Sequence, residues 1–143
     1  EEEGANLSRV IFGHSDGIAW DMPLMLEMLN HGIYMQFDML GMDSTPIFLH
    51  PKSHSLQHIT GLGLNPQVVE AIPKLILEGY EDRILLSQDV YTKMQLKRYG
   101  GNGYSFVLEY ILPELKKRGV TEEQSHKLMV DNPASVLPLV EPE

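Results

Sequence analysis

The chain contains no cysteine, and its 11 basic residues are few beside its 20 acidic ones. Without cysteine it has neither disulfides nor thiolate metal ligands, and the redox compartment stays open because a secreted protein can also lack cysteine. The net charge of -9 repels phosphate backbones and anionic lipid head groups, which argues against binding to nucleic acid or a membrane surface. We therefore expect the partner to be a small molecule or another protein.

Long apolar runs are missing as well. No stretch approaches the length of a membrane-spanning helix, and the chain opens with three glutamates where a secretion signal would carry a basic and then an apolar segment. We expect a cytoplasmic location. With 143 residues, of which 43% are hydrophobic and 22% charged, the chain has the composition of a single folded domain with a core, spanning residues 1–143.

What the chain does have is a repeated order of strand and helix. Residues 10–12, 33–37 and 83–89 are short apolar segments with strand character, and the first is expected to be buried on both faces. Strands of this kind, joined through helices, predict a parallel sheet covered by helices. A doubly wound sheet and an eight-stranded β/α barrel both fit this α/β pattern.

The predicted helices have recognisable start and stop signals in the sequence. One runs from about residue 22 to Gly32, and another from residue 66 to Gly79, where Pro73 should kink or restart it. A third covers the segment "SFVLEYILPELKKRG", with a possible kink at its proline. Thr121 and Gln124 then form a capping-box pattern ahead of further helix.

Polar side chains stand where each predicted strand ends. His14 follows the first strand, Asp38 the second and Asp89 the third. In both candidate folds function gathers at the carboxyl ends of the strands, and imidazole and carboxylate groups bind zinc or act as general acids and bases. For any one of these residues, facing solvent or capping the next helix is the more frequent role. Asp16 has two readings: orienting His14 or relaying a proton, or, less easily, capping the helix that starts near Asp21.

A long segment rich in glycine, proline, serine and histidine covers residues 41–66, and so long a loop in a compact domain usually has a use. Histidines recur there at every fourth position, at His50, His54 and His58. Pro51 argues against a helix that would bring them to one face, so an exposed loop is expected. The glycine-rich residues 100–103 lack the context of a nucleotide-binding loop, and we read them as backbone flexibility.

Five stretches together resemble the phosphotriesterase family of the amidohydrolase superfamily, especially its phosphotriesterase-related and lactonase-like branches. They are "VIFGHSD", "FDMLGMD", "EDRILLSQDVYTK", "YGGNGYSFVLEYILPELKKRGVTEEQ" and "VDNPASVL". The resemblance runs from about residue 3 to residue 138. It implies an eight-stranded β/α barrel with two metal ions at its carboxyl face, of which this chain matches the last three strands, six to eight, with their helices.

The resemblance also implies roles for individual residues. His14 would bind one metal, while Asp89 would bind the other and take a proton from the bridging hydroxide. Asp16 would relay the proton behind Asp89, and Asp38 would close strand seven, nearer to the substrate loop than to the metals. Met39 stands where relatives commonly have histidine or arginine, so the chain departs from the family at a position associated with proton shuttling and leaving-group contact.

Other ligands of the family have no counterpart here, namely the His-x-His of strand one, the bridging lysine or glutamate of strand four and the histidine of strand five. The resemblance thus predicts the C-terminal part of a binuclear hydrolase, with two zinc ions and the N-terminal barrel half as partner. The bond cleaved would be an ester, lactone, amide or phosphotriester, and the apolar side chains of the long loop favour a small organic substrate. A homo-oligomer is possible, and by itself this fragment is expected to be inactive. The alternative is a non-catalytic, truncated or split module that acts only by associating with another chain.

Overall fold

The computed structural model describes residues 4–42 and 64–137. Within these ranges three strands form one parallel sheet in the order β1 (Ile11–Phe12), β2 (Tyr34–Phe37) and β3 (Ile84–Leu86). In the register of the sheet, Ile11 pairs with Tyr34 and Met35 with Ile84. Because the strands are parallel, their carboxyl ends share one edge of the sheet, as the sequence predicts.

Helices connect and follow the strands. Helix α1 (Met22–Asn30) lies between β1 and β2, and α2 (Leu64–Leu77) precedes β3. After β3 come α3 (Leu112–Lys117), α4 (Glu122–His126) and α5 (Asn132–Val136). None of the helices in the described ranges combines the length and apolar character needed to cross a membrane.

The core lies between one face of the sheet and the helices. Its largest fully buried side chains include Met25 and Leu29 of α1, Met35 and Phe37 of β2, Ile72 and Leu75 of α2, Ile84, Leu115 and Leu128. The opposite face of the sheet carries a smaller cluster in which Tyr34, Leu85 and Val136 pack with Ile11. Alternation along β2 sends Met35 and Phe37 to the helices and Tyr34 to the other face.

Strand β1 corrects one expectation. The prediction that it is buried on both faces is wrong, because Phe12 is 42% exposed and Val10 36% exposed. The physical reason is position: β1 is an edge strand, with β2 as its single neighbour among the described residues. A run of apolar residues indicates a strand but does not say how many neighbours that strand has.

The sequence predicts a kink or restart at Pro73 and a possible kink at Pro113, and a third proline, Pro133, lies in the last helix. Helix α2 runs through Pro73 without a break, so the helix does not restart there. Pro113 and Pro133 each follow a π-helical turn, Val107–Ile111 and Lys127–Asp131, and fall at the second position of the next α-helix. Each of these prolines lacks a backbone N–H donor, and the wider π-helical turn before it accommodates the missing hydrogen bond.

Helix caps follow the sequence closely. Asp21 caps α1 through a hydrogen bond of 3.1 Å from the backbone N–H of Leu24, so the capping role considered for Asp16 belongs to Asp21. At α4 the predicted capping box is confirmed: Gln124 N–H donates to the Thr121 hydroxyl at 3.1 Å, and Thr121 N–H donates to Gln124 Oε1 at 3.0 Å. These local bonds fix where the helices begin.

Candidate functional site

His14 and Asp89 share an unusual backbone conformation. They are the non-glycine residues of the described ranges with positive φ, at 54° and 43° respectively. The left-handed region costs a non-glycine residue roughly 1–2 kcal/mol, and such strain concentrates at functional positions. Both residues are exposed and each follows a strand, β1 or β3. The negative charge of Asp89 contributes to raising the pKa of His14, so the two side chains lie within electrostatic reach of each other.

The imidazole of His14 is held by Asp38. His14 Nδ1 lies 2.8 Å from Asp38 Oδ1, and the backbone N–H of His14 donates to the same oxygen at 3.0 Å. The hydrogen bond to Asp38, followed by the charge of that carboxylate, raises the pKa of His14 above its usual 6.5. Because an ionised carboxylate only accepts, Nδ1 carries the proton and Nε2 of the neutral ring is the acceptor. The side chain of His14 is 65% exposed, which leaves Nε2 open to a ligand.

The carboxylate of Asp38 is itself fixed from the other side. Its side chain is 9% exposed, and Gln36 Nε2 donates to its Oδ2 at 2.8 Å. A Cβ atom on Gly13 would lie 3.1 Å from the same oxygen, so the small residue before His14 lets the carboxylate approach. Asp38 therefore contacts His14 directly.

Asp16 lies behind this pair and is 1% exposed. Its Oδ2 accepts from the backbone N–H groups of Asp38 at 2.9 Å and Met39 at 3.1 Å. Its Oδ1 is buried with no hydrogen-bond partner in the described residues. Burial raises the pKa of Asp16 to about 6, against the opposing effect of the two N–H donors. Asp16 thus holds the backbone at the end of β2, and its charge is also among the smaller causes that raise the pKa of His14.

Two glutamines complete the arrangement, and sequence reasoning missed both. Gln36 lies two residues before Asp38, where the alternation of a strand places both side chains on one face, so the strand period was a usable signal. Gln95 lies in the segment that follows β3. The pattern Thr92-x-x-Gln95 is a capping-box signal that sequence reasoning did not recognise. Histidines 50, 54 and 58 and most of the predicted loop lie outside the described residues.

The donor set fits part of a divalent metal centre. His14 Nε2 and the Asp89 carboxylate are ligand types that zinc prefers, and the contact from Asp38 to Nδ1 is the usual support for a metal-binding histidine. Within residues 4–42 and 64–137, however, no three groups from histidine, cysteine, aspartate or glutamate converge to hold an ion. The described residues therefore supply the ligand types of a metal centre, but too few of them converge to hold an ion.

Comparisons with known proteins identify the family of this chain. A sequence model of the phosphotriesterase family matches residues 1–137. The N-acetyltaurine hydrolase of Dictyostelium discoideum is 36% identical over 140 residues, which are 98% of this chain and 36% of that protein. The phosphotriesterase-related protein of Drosophila mojavensis is 37% identical over 136 residues, covering 95% of this chain and 37% of that protein.

Solved structures show the same fold. A resiniferatoxin-binding protein from Rhodobacter sphaeroides superposes with a TM-score of 0.80 at 38% identity, over 94% of this chain and 35% of that one. The phosphotriesterase homology protein of Escherichia coli, complexed with phosphate in its active site, superposes at 0.77 with 26% identity, over 94% and 40%. The chain spans little more than a third of the length of the curated relatives it matches, such as 36% of the Dictyostelium protein, and its small parallel sheet with helices is consistent with part of a barrel. By sequence and by fold, this chain belongs to the phosphotriesterase family.

Proposed function

We propose that this chain is the C-terminal part of a binuclear metal-dependent hydrolase and supplies strands six to eight of its barrel. The observation that carries the proposal is the shared position of His14 and Asp89, which both follow strands whose carboxyl ends lie at one edge of the sheet. Each follows a strand, each holds a strained left-handed backbone, and each presents a metal-ligand side chain near the other at one edge of the sheet. Relatives named as hydrolases support the reaction class.

In this proposal the chain's residues divide the work between binding and proton transfer. His14 would bind one divalent ion through Nε2, with Asp38 holding the proton on Nδ1 and so fixing the tautomer. Asp89 would bind the second ion and accept a proton on its carboxylate. When bound, the two ions, in our proposal zinc, would lower the pKa of water and polarise the bond under attack.

Asp16 would support both functions from behind. Its two hydrogen bonds fix the backbone at Asp38 and Met39, and so fix the carboxylate that aligns His14. Its buried Oδ1 and its pKa of about 6 leave it able to hold a proton near neutral pH, which is the property a relay requires. Met39 offers no titratable group, so on this chain a relay would run through carboxylates.

The substrate we propose is a small organic ester, lactone, amide or phosphotriester. The acidic balance of the chain disfavours polyanionic substrates such as nucleic acid. Relatives bear the names N-acetyltaurine hydrolase and phosphotriesterase-related protein, and these names span more than one bond type.

The exposed edge of β1 favours a second role, in which the chain acts by association alone. Phe12 and Val10 present exposed apolar side chains at this edge of the sheet, and an exposed edge strand is a template for pairing with another strand. In the hydrolase the partner is the rest of the barrel, and in the alternative it is a separate chain.

The test is metal content and turnover of the full-length protein that carries this chain. Two divalent ions per chain are expected by elemental analysis, together with hydrolysis of at least one member of a panel of lactones, esters, N-acyl amides and phosphotriesters. His14→Ala and Asp89→Asn should each lose at least one ion and turnover.

His126→Ala and Asp131→Asn are the matched controls, because these two residues form an exposed pair at 3.4 Å on α4 and the π turn that follows it. They should leave metal content unchanged. A His14→Ala protein that keeps both ions would contradict the proposal. So would tight, stoichiometric zinc binding with turnover by the isolated 143-residue chain, which holds only part of the donor set.

A further inference from the structure

Gln95 is a polar side chain with an unusual position. It is 3% exposed, and both ends of its amide are hydrogen-bonded. Its Oε1 accepts from the backbone N–H of Tyr91 at 3.0 Å, from the backbone N–H of Thr92 at 2.7 Å and from the Thr92 hydroxyl at 2.9 Å. A buried amide whose oxygen and nitrogen are both hydrogen-bonded gives a loop one defined conformation.

The other end of the amide reaches the candidate site. Gln95 Nε2 donates to the backbone carbonyl oxygen of Asp89 at 3.0 Å. That carbonyl defines the plane of the peptide after Asp89, so the bond restricts the backbone rotation of a residue already held at a φ of 43°. Together with its bonds to Tyr91 and Thr92, the Gln95 side chain therefore contacts the backbone at three positions of the turn that begins at Asp89.

The glycine-rich residues 100–103 hold Gln95 in turn. Gly103 N–H donates to the backbone carbonyl of Gln95 at 2.7 Å, and a Cβ atom on Gly101 would lie 2.3 Å from Met94 O and from Gln95 C. Asn102 Nδ2 donates to the carbonyl of Gly41 at 2.7 Å, which ties this turn to the segment after β2. Gly101 thus allows a close approach of two backbone segments, while Gly100 and Gly103 adopt the left-handed conformation that glycine permits.

We propose that Gln95 is a positioning residue for Asp89, which holds that carboxylate at the metal edge by fixing the peptide that follows it. The inference rests on the proposed function, because Asp89 needs a set direction only if it binds or moves something. If Gln95 only stabilised the loop, its hydrogen bonds with Tyr91 and Thr92 would be sufficient. The bond to Asp89 itself is the added element.

Gln95→Glu separates these two roles in the full-length protein. The new carboxylate keeps an oxygen that accepts from Tyr91 and Thr92, and it replaces the donor facing the Asp89 carbonyl with a second oxygen. We expect zinc affinity to fall by roughly 10- to 100-fold, as for other residues that orient metal ligands. The value of kcat should fall with little change in KM, and a crystal structure should show Asp89 outside the left-handed region.

Gln124→Glu is the matched control. Gln124 occupies the same place in a Thr-x-x-Gln cap, with Nε2 donating to Glu81 Oε2 at 3.1 Å, and it belongs to α4, away from the strand ends. This variant should lose thermal stability while zinc affinity and kcat stay at the wild-type level. If Gln95→Glu does not fold, Gln95→Met, similar in volume and uncharged, should give the same loss of zinc affinity.

The outcomes separate the inference from the proposed function. Zinc affinity and an Asp89 conformation that both stay at wild-type values in Gln95→Glu, with only the melting temperature lowered, would overturn the inference and leave the proposed function intact. A wild-type protein that binds no zinc would overturn the proposed function and the metal-positioning role of Gln95 together. The crystal structures would then still show whether Gln95 sets the backbone of Asp89.

Discussion

Asp38 is the residue on which the direction of His14 depends. One of its oxygens contacts both the ring and the backbone N–H of His14, and its other oxygen is held by Gln36. The hydrogen bond to Asp38, followed by the charge of that carboxylate, stabilises the protonated imidazole, which is why the pKa of His14 is raised. When His14 becomes protonated, the added proton lies on Nε2, where the proposed divalent ion would bind. Ion and proton would compete for this nitrogen, so the His14–Asp38 pair would link metal binding to pH.

Replacing Asp38 with asparagine tests this link at the scale of one residue. Asp38→Asn keeps an oxygen that can accept from His14 and removes the negative charge, so the pKa of His14 should fall. The measurement is an NMR pH titration of the His14 ring in the metal-free, full-length protein.

The matched control for this titration is Asp131→Asn, which removes the same charge from the exposed surface beside His126. The His14 titration should be identical in that variant and in the wild type. A His14 curve that does not move in Asp38→Asn would mean that the negative charge of Asp38 is not a source of the raised pKa.

At the scale of elements, the loop after β3 is the best example of structure built from glycine. Gly100 has a φ of 92° and an open space where a Cβ would stand, whereas Gly101 has backbone atoms 2.3 Å from that point. The first glycine is required by conformation and the second by close approach. Together they let the turn pack on Gln95 and reach the end of β2.

Substituting these two neighbours separates the effects. Gly101→Ala should lower the free energy of unfolding by about 3 kcal/mol or more, because backbone atoms must move to admit the methyl group. Gly100→Ala should cost only about 1 kcal/mol, from the left-handed conformation alone.

Denaturant unfolding of the full-length protein measures both variants. Equal losses would show that the turn relaxes easily and does not press on Gln95. A larger loss for Gly100→Ala would reverse the order that the geometry requires.

At the scale of the whole molecule, the sheet is open at β1. Its edge carries Phe12 and Val10, both substantially exposed, although the rest of the sheet is packed on both faces. Parallel sheets are normally covered on both faces, and an exposed apolar edge strand is a template for pairing, so we expect this surface to have a partner. The chain spans 36% of its Dictyostelium relative, and in the proposed function further barrel strands would be that partner.

The isolated 143-residue chain should therefore self-associate. Phe12→Lys should reduce that association, because a charge on an edge strand opposes strand pairing. Light scattering coupled to size-exclusion chromatography gives the measurement.

Leu77→Lys is the control for the association experiment, since Leu77 is a more exposed apolar residue at the end of α2, away from the sheet edge. It should leave association nearly unchanged. A monodisperse wild-type monomer with a cooperative thermal transition would show that the edge needs no partner.

Prediction from the sequence succeeded where a local signal was recognised, although the capping box of Thr92 and Gln95 is a local signal that was missed. The capping box at Thr121 depends on residues three positions apart, and the strand ends at His14 and Asp89 depend on where short apolar runs stop. It failed where neighbours in space decide. The burial of Phe12 depends on whether a second strand lies beside β1, and the packing of Gly101 depends on Met94 and Gln95 across a turn.

The sequence by itself determined the parallel α/β order, the family and the presence of histidine or aspartate after each strand, because periodicity, caps and motif spacing are written along the chain. Only the tertiary structure decided that Asp38 holds His14, that Asp16 holds the backbone of Asp38 and that Gln95 holds Asp89. The first two contacts join residues 24 and 22 positions apart, and the third crosses a turn of six residues. Such contacts depend on where the folded sheet brings its strand ends, and no local pattern along the chain specifies that.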